Sequence, residues 1–210
     1  MLNDLMHQTR KPDEIIVVDD GSTDGTKNAL LKFQNRITYI YQDNHGASSA
    51  RNRGARDAHG EFLLFCDADL KLSPDILKTM HDTLVENPSS AFVYSSFKYG
   101  WKEFPLFPFS ASKLETMPYI HSTSMLRKEW FTPFDETLTK FQDWDFFLSI
   151  AKKGGEGKWI NEYLFTVLPH KGGMSQWFPK FLLKVPGSHI LKRVRRYKDA
   201  YKVIRDKYNV

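Results

Sequence analysis

The stretch IIVVDDGSTDGT at residues 15–26 constrains the fold more than any other part of the chain. Ile15, Ile16, Val17 and Val18 are consecutive, apolar and β-branched, which suits a strand covered on both faces, as in a parallel sheet. Asp24, Gly25 and Thr26 supply turn and cap chemistry ahead of a helical stretch at residues 27–33. In open α/β sheets ligands sit beyond the carboxyl ends of strands, so a strand ending in Asp19 and Asp20 aims paired carboxylates at that crevice. Alone, Asp-Asp-Gly-Ser also serves as a plain polar turn. The rest of the chain has to decide.

Further strands are expected at residues 37–42, 61–67, 91–97, 120–126 and 158–168, with the first at 14–19. Helical patterns fall at 25–33, 47–58 and 74–86, the last with Ser73 as cap and Pro74 at the first helical position. Strands alternating with helices in this way predict a parallel α/β sheet. Residues 99–118, YGWKEFPLFPFSASKLETMP, read as a long aromatic and proline-rich loop of the kind used as a lid or binding loop. Residues 141–153 carry Phe141, Trp144, Phe147, Leu148 and Ala151 at helical spacing and end at Gly154 and Gly155. At 210 residues the chain has room for one domain with a proper core.

Several residues could carry chemistry. Asp67 and Asp69 follow an apolar run, and in extended backbone residues two apart point the same way, so both carboxylates can face one site. Hard oxygen donors of this kind suit Mg²⁺ or Mn²⁺ bridging a diphosphate. Arg51, in ARNRG, has a planar fork suited to a phosphate or a base, whereas Arg53 and Arg56 read as a solvated helix face. Asp143 begins a helix beside aromatic residues and is a candidate general base, because partial desolvation raises a carboxylate's basicity. Asp145 reads as a helix-start acid favoured by the dipole. His170 lies in the glycine-containing segment LPHKGGMS, where a lone histidine is more often structural than a ligand.

Charge narrows the partners. Residues 184–210 hold nine basic and two acidic residues, so a chain of net charge +5 has a slightly acidic body and a basic tail. That distribution favours an anionic surface such as a membrane leaflet over nucleic acid, which would need positive charge near its reading elements. Trp177, Phe178, Phe181, Leu182, Leu183, Ile190 and Leu191 interleave with the basic cluster, as in a helix lying on a bilayer. No stretch reaches the roughly 18 apolar residues of a membrane span, and the N-terminus lacks a signal-peptide core. The single cysteine, Cys66, sits in an apolar run, where a buried reduced thiol is expected. The expected location is cytoplasmic, with peripheral attachment to the membrane's inner face.

Taken in order, VVDDGSTDGT, GASSARNRGARDAHGEFLLFCDADLKLSPDIL, FDETLTKFQDWDFFLSIAKKG and HKGGMS resemble the family 2 glycosyltransferases over roughly residues 5–176. The resemblance implies a GT-A (Rossmann-like) three-layer αβα fold with a mixed, mainly parallel sheet at residues 1–176, followed by a basic amphipathic helical extension at 177–210. It implies inverting transfer from a nucleotide-diphosphate sugar, most often uridine-linked, to a hydroxyl of a saccharide or lipid-linked saccharide, with Mn²⁺ or Mg²⁺. By position Asp20 would bind the base, Asp19 would support that turn and Arg51 would contact the nucleotide. Asp67 would meet the ribose or metal, Asp69 the metal with help from His170, and Asp143 would take the acceptor proton. The family's usual Glu before the base is Gln142 here.

Members of that family open with a strand bearing an Ile-Pro-Thr-Tyr-Asn-like turn, ahead of the helix in which this chain begins. The resemblance therefore implies an N-terminally truncated or mis-started transferase lacking an interior strand. Its rival is a non-catalytic remnant that only binds a nucleotide, a partner or a membrane. A phosphoacceptor receiver domain would use Asp20 and Asp67, but has no use for Asp143 or the Ser-Thr-Asp-Gly-Thr turn.

Overall fold

The computed structural model describes residues 1–169 and 192–210. In chain order the elements are α1 (Leu2–Met6), β1 (Ile16–Asp20), α2 (Thr26–Leu30) with a 3₁₀ turn at Leu31–Phe33, β2 (Thr38–Gln42), α3 (Ala47–Asp57), β3 (Phe62–Leu64), β4 (Leu70–Leu72) and α4 (Ile76–Glu86). There follow β5 (Ser90–Tyr99), β6 (Lys102–Phe104), α5 (Ala111–Thr116), β7 (Met125–Arg127), α6 (Gln142–Lys152), β8 (Glu156–Val167) and α7 (Lys192–Tyr208). Among the described residues, no helix is long and apolar enough to cross a membrane.

The strands form two sheets. β1 and β2 pair parallel, in register from Ile16 opposite Thr38 to Asp20 opposite Gln42. The second sheet runs β3-β7-β5-β8-β4, with β6 beside the end of β5. Here β5 and β8 are parallel, while β3/β7, β5/β7, β4/β8 and β5/β6 are antiparallel. The mixed sheet is as expected, but the parallel share is smaller. Short strands that return beside their neighbours through loops, rather than through helical crossovers, pair antiparallel.

Strand β5 is the spine of the core. Phe92 and Tyr94 point to one face, where they meet Leu114, Trp144, Phe147 and Ile150. Val93 points to the other, onto Leu70, Ile76, Met80, Leu84 and Phe165. This two-residue alternation separates the two helical layers. Each such fully buried side chain contributes roughly 1.5–3 kcal/mol relative to exposure. β8 lies so close to the Phe92 ring that a Cβ at Gly157 would stand 2.4 Å from it.

Three local expectations are corrected. The helix expected from Pro74 begins at Ile76 with Asp75 at its cap position, because the Pro74 carbonyl accepts from the Thr9 amide at 2.9 Å and lies outside the helix. The strand expected at 120–126 shrinks to Met125–Arg127. Thr123 N donates to His121 Nδ1 and Ser124 Oγ to the His121 carbonyl, so local bonds displace the ladder there. The loop at 99–118 contains β6 and α5, the latter capped by Ser110, whose hydroxyl accepts from Lys113 N.

α7 lies against the domain. Val194 and Ile204 are buried, Ile204 within the Phe92–Trp144 core, and the Tyr201 ring packs tilted against Trp144 at 5.0 Å between ring centroids. The apolar residues expected to contact a bilayer at 177–191 lie outside the described residues.

Candidate functional site

The ends of β1 and β2 build the first corner of the site. Asp19 is 5% exposed, and its carboxylate accepts from Ser22 N at 2.9 Å and from the Tyr39 hydroxyl at 2.8 Å. Burial works against its ionisation, but the bonds from Ser22 and Tyr39 outweigh it and hold the carboxyl below its usual range. The Tyr39 hydroxyl is pushed up in turn, chiefly by that bond to Asp19. Asp20 accepts from Gln42 Nε2 at 2.8 Å, from His45 N at 2.9 Å and from Gly46 N at 2.8 Å. It thereby pins the loop that leads into α3. The two loops approach closely at Gly21, which has φ +78 and whose Cβ would stand 2.8 Å from Asn44 N.

Helix α3 supplies the second corner. Arg51 Nη2 lies 2.8 and 2.9 Å from the two carboxylate oxygens of Asp67, and the guanidinium sits over the Phe134 ring at 5.4 Å. Burial works against the Arg51 charge, yet Asp67, Asp143 and Asp69 together raise the guanidinium above its ordinary value. Asp67 thus holds the guanidinium directly, while Asp69 and the distant Asp143 act on it through their charge. On the same helix Asn52 grips the Phe134 backbone through both its carbonyl and its amide, at 2.7 and 2.9 Å. Arg53 is exposed and pairs with Asp57 at 3.0 Å, and Arg56 is exposed, as expected of a solvated face.

Asp67 and Asp69 depart from the expected geometry. β3 ends at Leu64, so the two acids lie in a loop with Ala68 and Asp69 in a turn, and the extended backbone assumed for them is not present. Cys66 beside them is a free thiol pushed up to about 12 by burial and by the Asp67 charge. Among the described residues, no group of three or more His, Cys, Asp or Glu side chains is arranged as a metal site. His170, the expected third ligand, lies outside the described residues.

Asp143 stands in the first turn of α6, where one carboxylate oxygen accepts from the Ser122 backbone N at 3.1 Å. An acid there is favoured by the helix dipole. Phe141, just before it, has φ +62, a left-handed backbone that turns the chain sharply into the helix. Asp145, read from sequence as a helix-start acid favoured by the dipole, does stand in the first turn of α6, where it is 3% exposed and ion-paired at 2.7 Å with Lys207 of α7. Neither the Ser122 contact, made by main chain, nor the Lys207 pairing, made across 62 positions, leaves a local signal in the sequence.

The chain is similar to known proteins in sequence and in fold. The model of Glycosyl transferase family 2 matches residues 1–148. A cholesterol galactosyltransferase of Borreliella burgdorferi is 25% identical over 205 residues, 83% of this chain and 57% of that protein. An uncharacterized glycosyltransferase of Mycoplasma pneumoniae is 31% identical over 66% of this chain and 46% of its own length. The chain spans about half the length of these relatives. Among solved structures, TarS residues 1–349 from S. aureus in complex with UDP-GlcNAc superposes with a TM-score of 0.71 at 21% identity, over 88% of this chain and 59% of that one. A Pyrobaculum calidifontis mannosyltransferase in complex with GDP-Man and Mn²⁺ gives 0.65 at 21% identity, over 81% and 53%. Those likenesses show the GT-A fold, and the chain belongs to Glycosyl transferase family 2.

Proposed function

We propose that the chain is the nucleotide-sugar-handling part of an inverting glycosyltransferase that moves a sugar from a uridine-diphosphate donor to a hydroxyl of a saccharide or lipid-linked saccharide. The observation that carries this reading is the Arg51 guanidinium, bound by Asp67 at 2.8 Å with the charges of Asp143 and Asp69 acting on it, beside the Asp19–Asp20 corner. With three carboxylates to one cation the cluster carries an excess of negative charge, which suits a divalent cation, and Arg51 can exchange its Asp67 partner for an anionic diphosphate. Arg51 would then turn from Asp67 toward the donor, freeing the Asp67 carboxylate.

Within this reading Asp20 reads the base, and Asp19 holds the turn that presents it. The carboxylates of Asp67 and Asp69 are hard oxygen donors, the chemistry that suits Mn²⁺ or Mg²⁺. A divalent cation bound there would offset the charge of the diphosphate leaving group. Asp143 takes the acceptor's hydroxyl proton while the resulting oxygen attacks the anomeric carbon from the face opposite the departing nucleotide. Ser122 N fixes one Asp143 oxygen and so orients the other. The relatives' printed activities and the ligands of the solved structures support a sugar nucleotide as donor. The acceptor would belong to a cell-surface polysaccharide or glycolipid, reached from the cytoplasmic face, with the basic side of α7 toward anionic lipid.

The test is a thermal-shift screen of nucleotide sugars with Mn²⁺. A ligand that binds only the folded state raises the midpoint. The expected result is stabilisation by one uridine-diphosphate sugar that is lost in Asp20→Ala and weakened in Asp69→Ala. Equal shifts in the wild type and both variants would refute the placement.

A further inference from the structure

Helix α6 begins with a conformation that its own residues do not favour. Phe141, at the N-cap position, has φ +62 and ψ +25, and its side chain makes no capping hydrogen bond. A left-handed backbone at a residue other than glycine is unfavourable and persists only where the surroundings fix it. Those surroundings come in part from α7. The Phe141 ring meets Tyr197 edge-on at 4.9 Å between centroids and Tyr201 at 6.2 Å. The Tyr201 hydroxyl in turn donates to the Thr116 carbonyl of α5 at 2.8 Å. Further along α7, Lys207 Nζ lies 2.7 Å from Asp145 Oδ1 and 2.8 Å from Asp135 Oδ2, and the Tyr208 hydroxyl donates to the Asp145 carbonyl at 3.0 Å. The Asp145 amide closes the turn by donating to the Phe141 carbonyl at 2.9 Å. Any displacement of Asp145 is therefore passed to Phe141 and to the two residues between them.

One of those two is Asp143. Successive residues of an α-helix are turned by about 100°, so Asp143 and Asp145 point to nearly opposite sides of α6, about 160° apart. Asp145 is held from the α7 side, while Asp143 accepts from Ser122 N at 3.1 Å on the other. The first turn of α6 is gripped between them. We infer that Lys207 and Tyr208 are positioning residues for Asp143: by fixing the carboxylate and the carbonyl of Asp145 they set the rotation of this turn, and with it the place of the Asp143 oxygen that Ser122 leaves free. The inference rests on the reading of Asp143 as the base. Misplacing a reacting group by about 1 Å costs up to roughly 10²-fold in rate, so a clamp acting from behind the helix bears on turnover without touching a substrate. Donor binding, assigned to the Asp20 and Asp69 corners, is left as it was.

The test compares Lys207→Met, Lys207→Arg and Tyr208→Phe in the full chain, each held well below its unfolding midpoint. The first readout needs no substrate. The Ser122 amide proton, bonded to Asp143, is followed by NMR, which reads the folded molecules alone. Its resonance should move in Lys207→Met and Tyr208→Phe in the direction set by Asp143→Ala, and stay near its wild-type position in Lys207→Arg. The second readout is steady-state transfer from the donor chosen by thermal shift. In Lys207→Met kcat should fall roughly ten- to a hundredfold with the donor KM unchanged, with a smaller fall in Tyr208→Phe and most of the rate recovered in Lys207→Arg. An unmoved Ser122 resonance in both Lys207→Met and Tyr208→Phe would overturn the inference, as would a loss confined to the donor KM. A wild type that transfers no sugar contradicts the reading of the site instead, and the Ser122 resonance still decides the clamp.

Discussion

Replacing Lys207 by Met should cost this fold more than any other change to an exposed charge. Lys207 Nζ lies 2.7 Å from Asp145 Oδ1 and 2.8 Å from Asp135 Oδ2. The Asp145 side chain is 4% exposed, and the Lys207 side chain is 38% exposed. Removing one partner of a fully buried pair costs roughly 3–5 kcal/mol, whereas an exposed pair is worth about 0–1 kcal/mol. With one end buried and the other in contact with water, a loss of about 2 kcal/mol is expected. For a chain of this size that is a fall in midpoint of roughly 4–8 °C. The cost arises from stranding a buried carboxylate, so Asp145→Asn in the Lys207→Met background should recover part of it. Urea denaturation of the four proteins of the cycle measures this directly. A loss below about 0.5 kcal/mol in Lys207→Met, within the range of an ordinary surface change, would refute the reasoning, as would failure of Asp145→Asn to recover any.

The same pairing predicts a pH dependence. Asp135 is held at about 2, by the hydrogen bond from Lys207 first and by Thr137 next. A carboxyl lowered on folding contributes stability above its unfolded value, about 3.9 for Asp, and loses it as pH falls through the folded value. The stability curves of wild type and Lys207→Met should therefore draw together between about pH 4 and 2; parallel curves over that range would contradict the pairing. Gly157→Ala should destabilise by about 1–3 kcal/mol, because its Cβ would stand 2.4 Å from the Phe92 ring, and denaturant midpoints read this out. The basic face of α7 should bind anionic vesicles and release them at high salt. Equal sedimentation with neutral vesicles would remove the electrostatic contribution.

What the sequence showed best were features encoded within one element. The strand before Asp19, the helix at 47–57 and the helix that starts beside Asp143 all follow from local periodicity and caps. Strand pairing was less legible, because β5 sits between β7 and β8 through contacts far apart in the chain. Residues 120–124 carry strand-forming composition but run irregularly, held by local bonds to His121 and Ser122 that no propensity scale weighs. The site divides in the same way. Asp19, Asp20, Arg51, Asp67 and Asp143 were all legible as candidates, and the structure brings Arg51 onto Asp67 with Asp143 and Asp69 in range of its charge. The direct Arg51–Asp67 pairing leaves no sign in the sequence, where each side chain reads as facing a ligand. The burial of Asp145 leaves no local sign in the sequence because its partner, Lys207, arrives from the far end of the chain.

Sugar transfer with Asp143 as the proton acceptor is tested most directly by turnover. The measurement is release of nucleoside diphosphate from the donor selected in the thermal-shift screen, with acceptor and Mn²⁺, in wild type and in Asp143→Asn. The account predicts that Asp143→Asn binds the donor as wild type does, while turnover falls by about 10²–10⁴-fold, the usual contribution of a general base. Unaltered turnover in Asp143→Asn would contradict it.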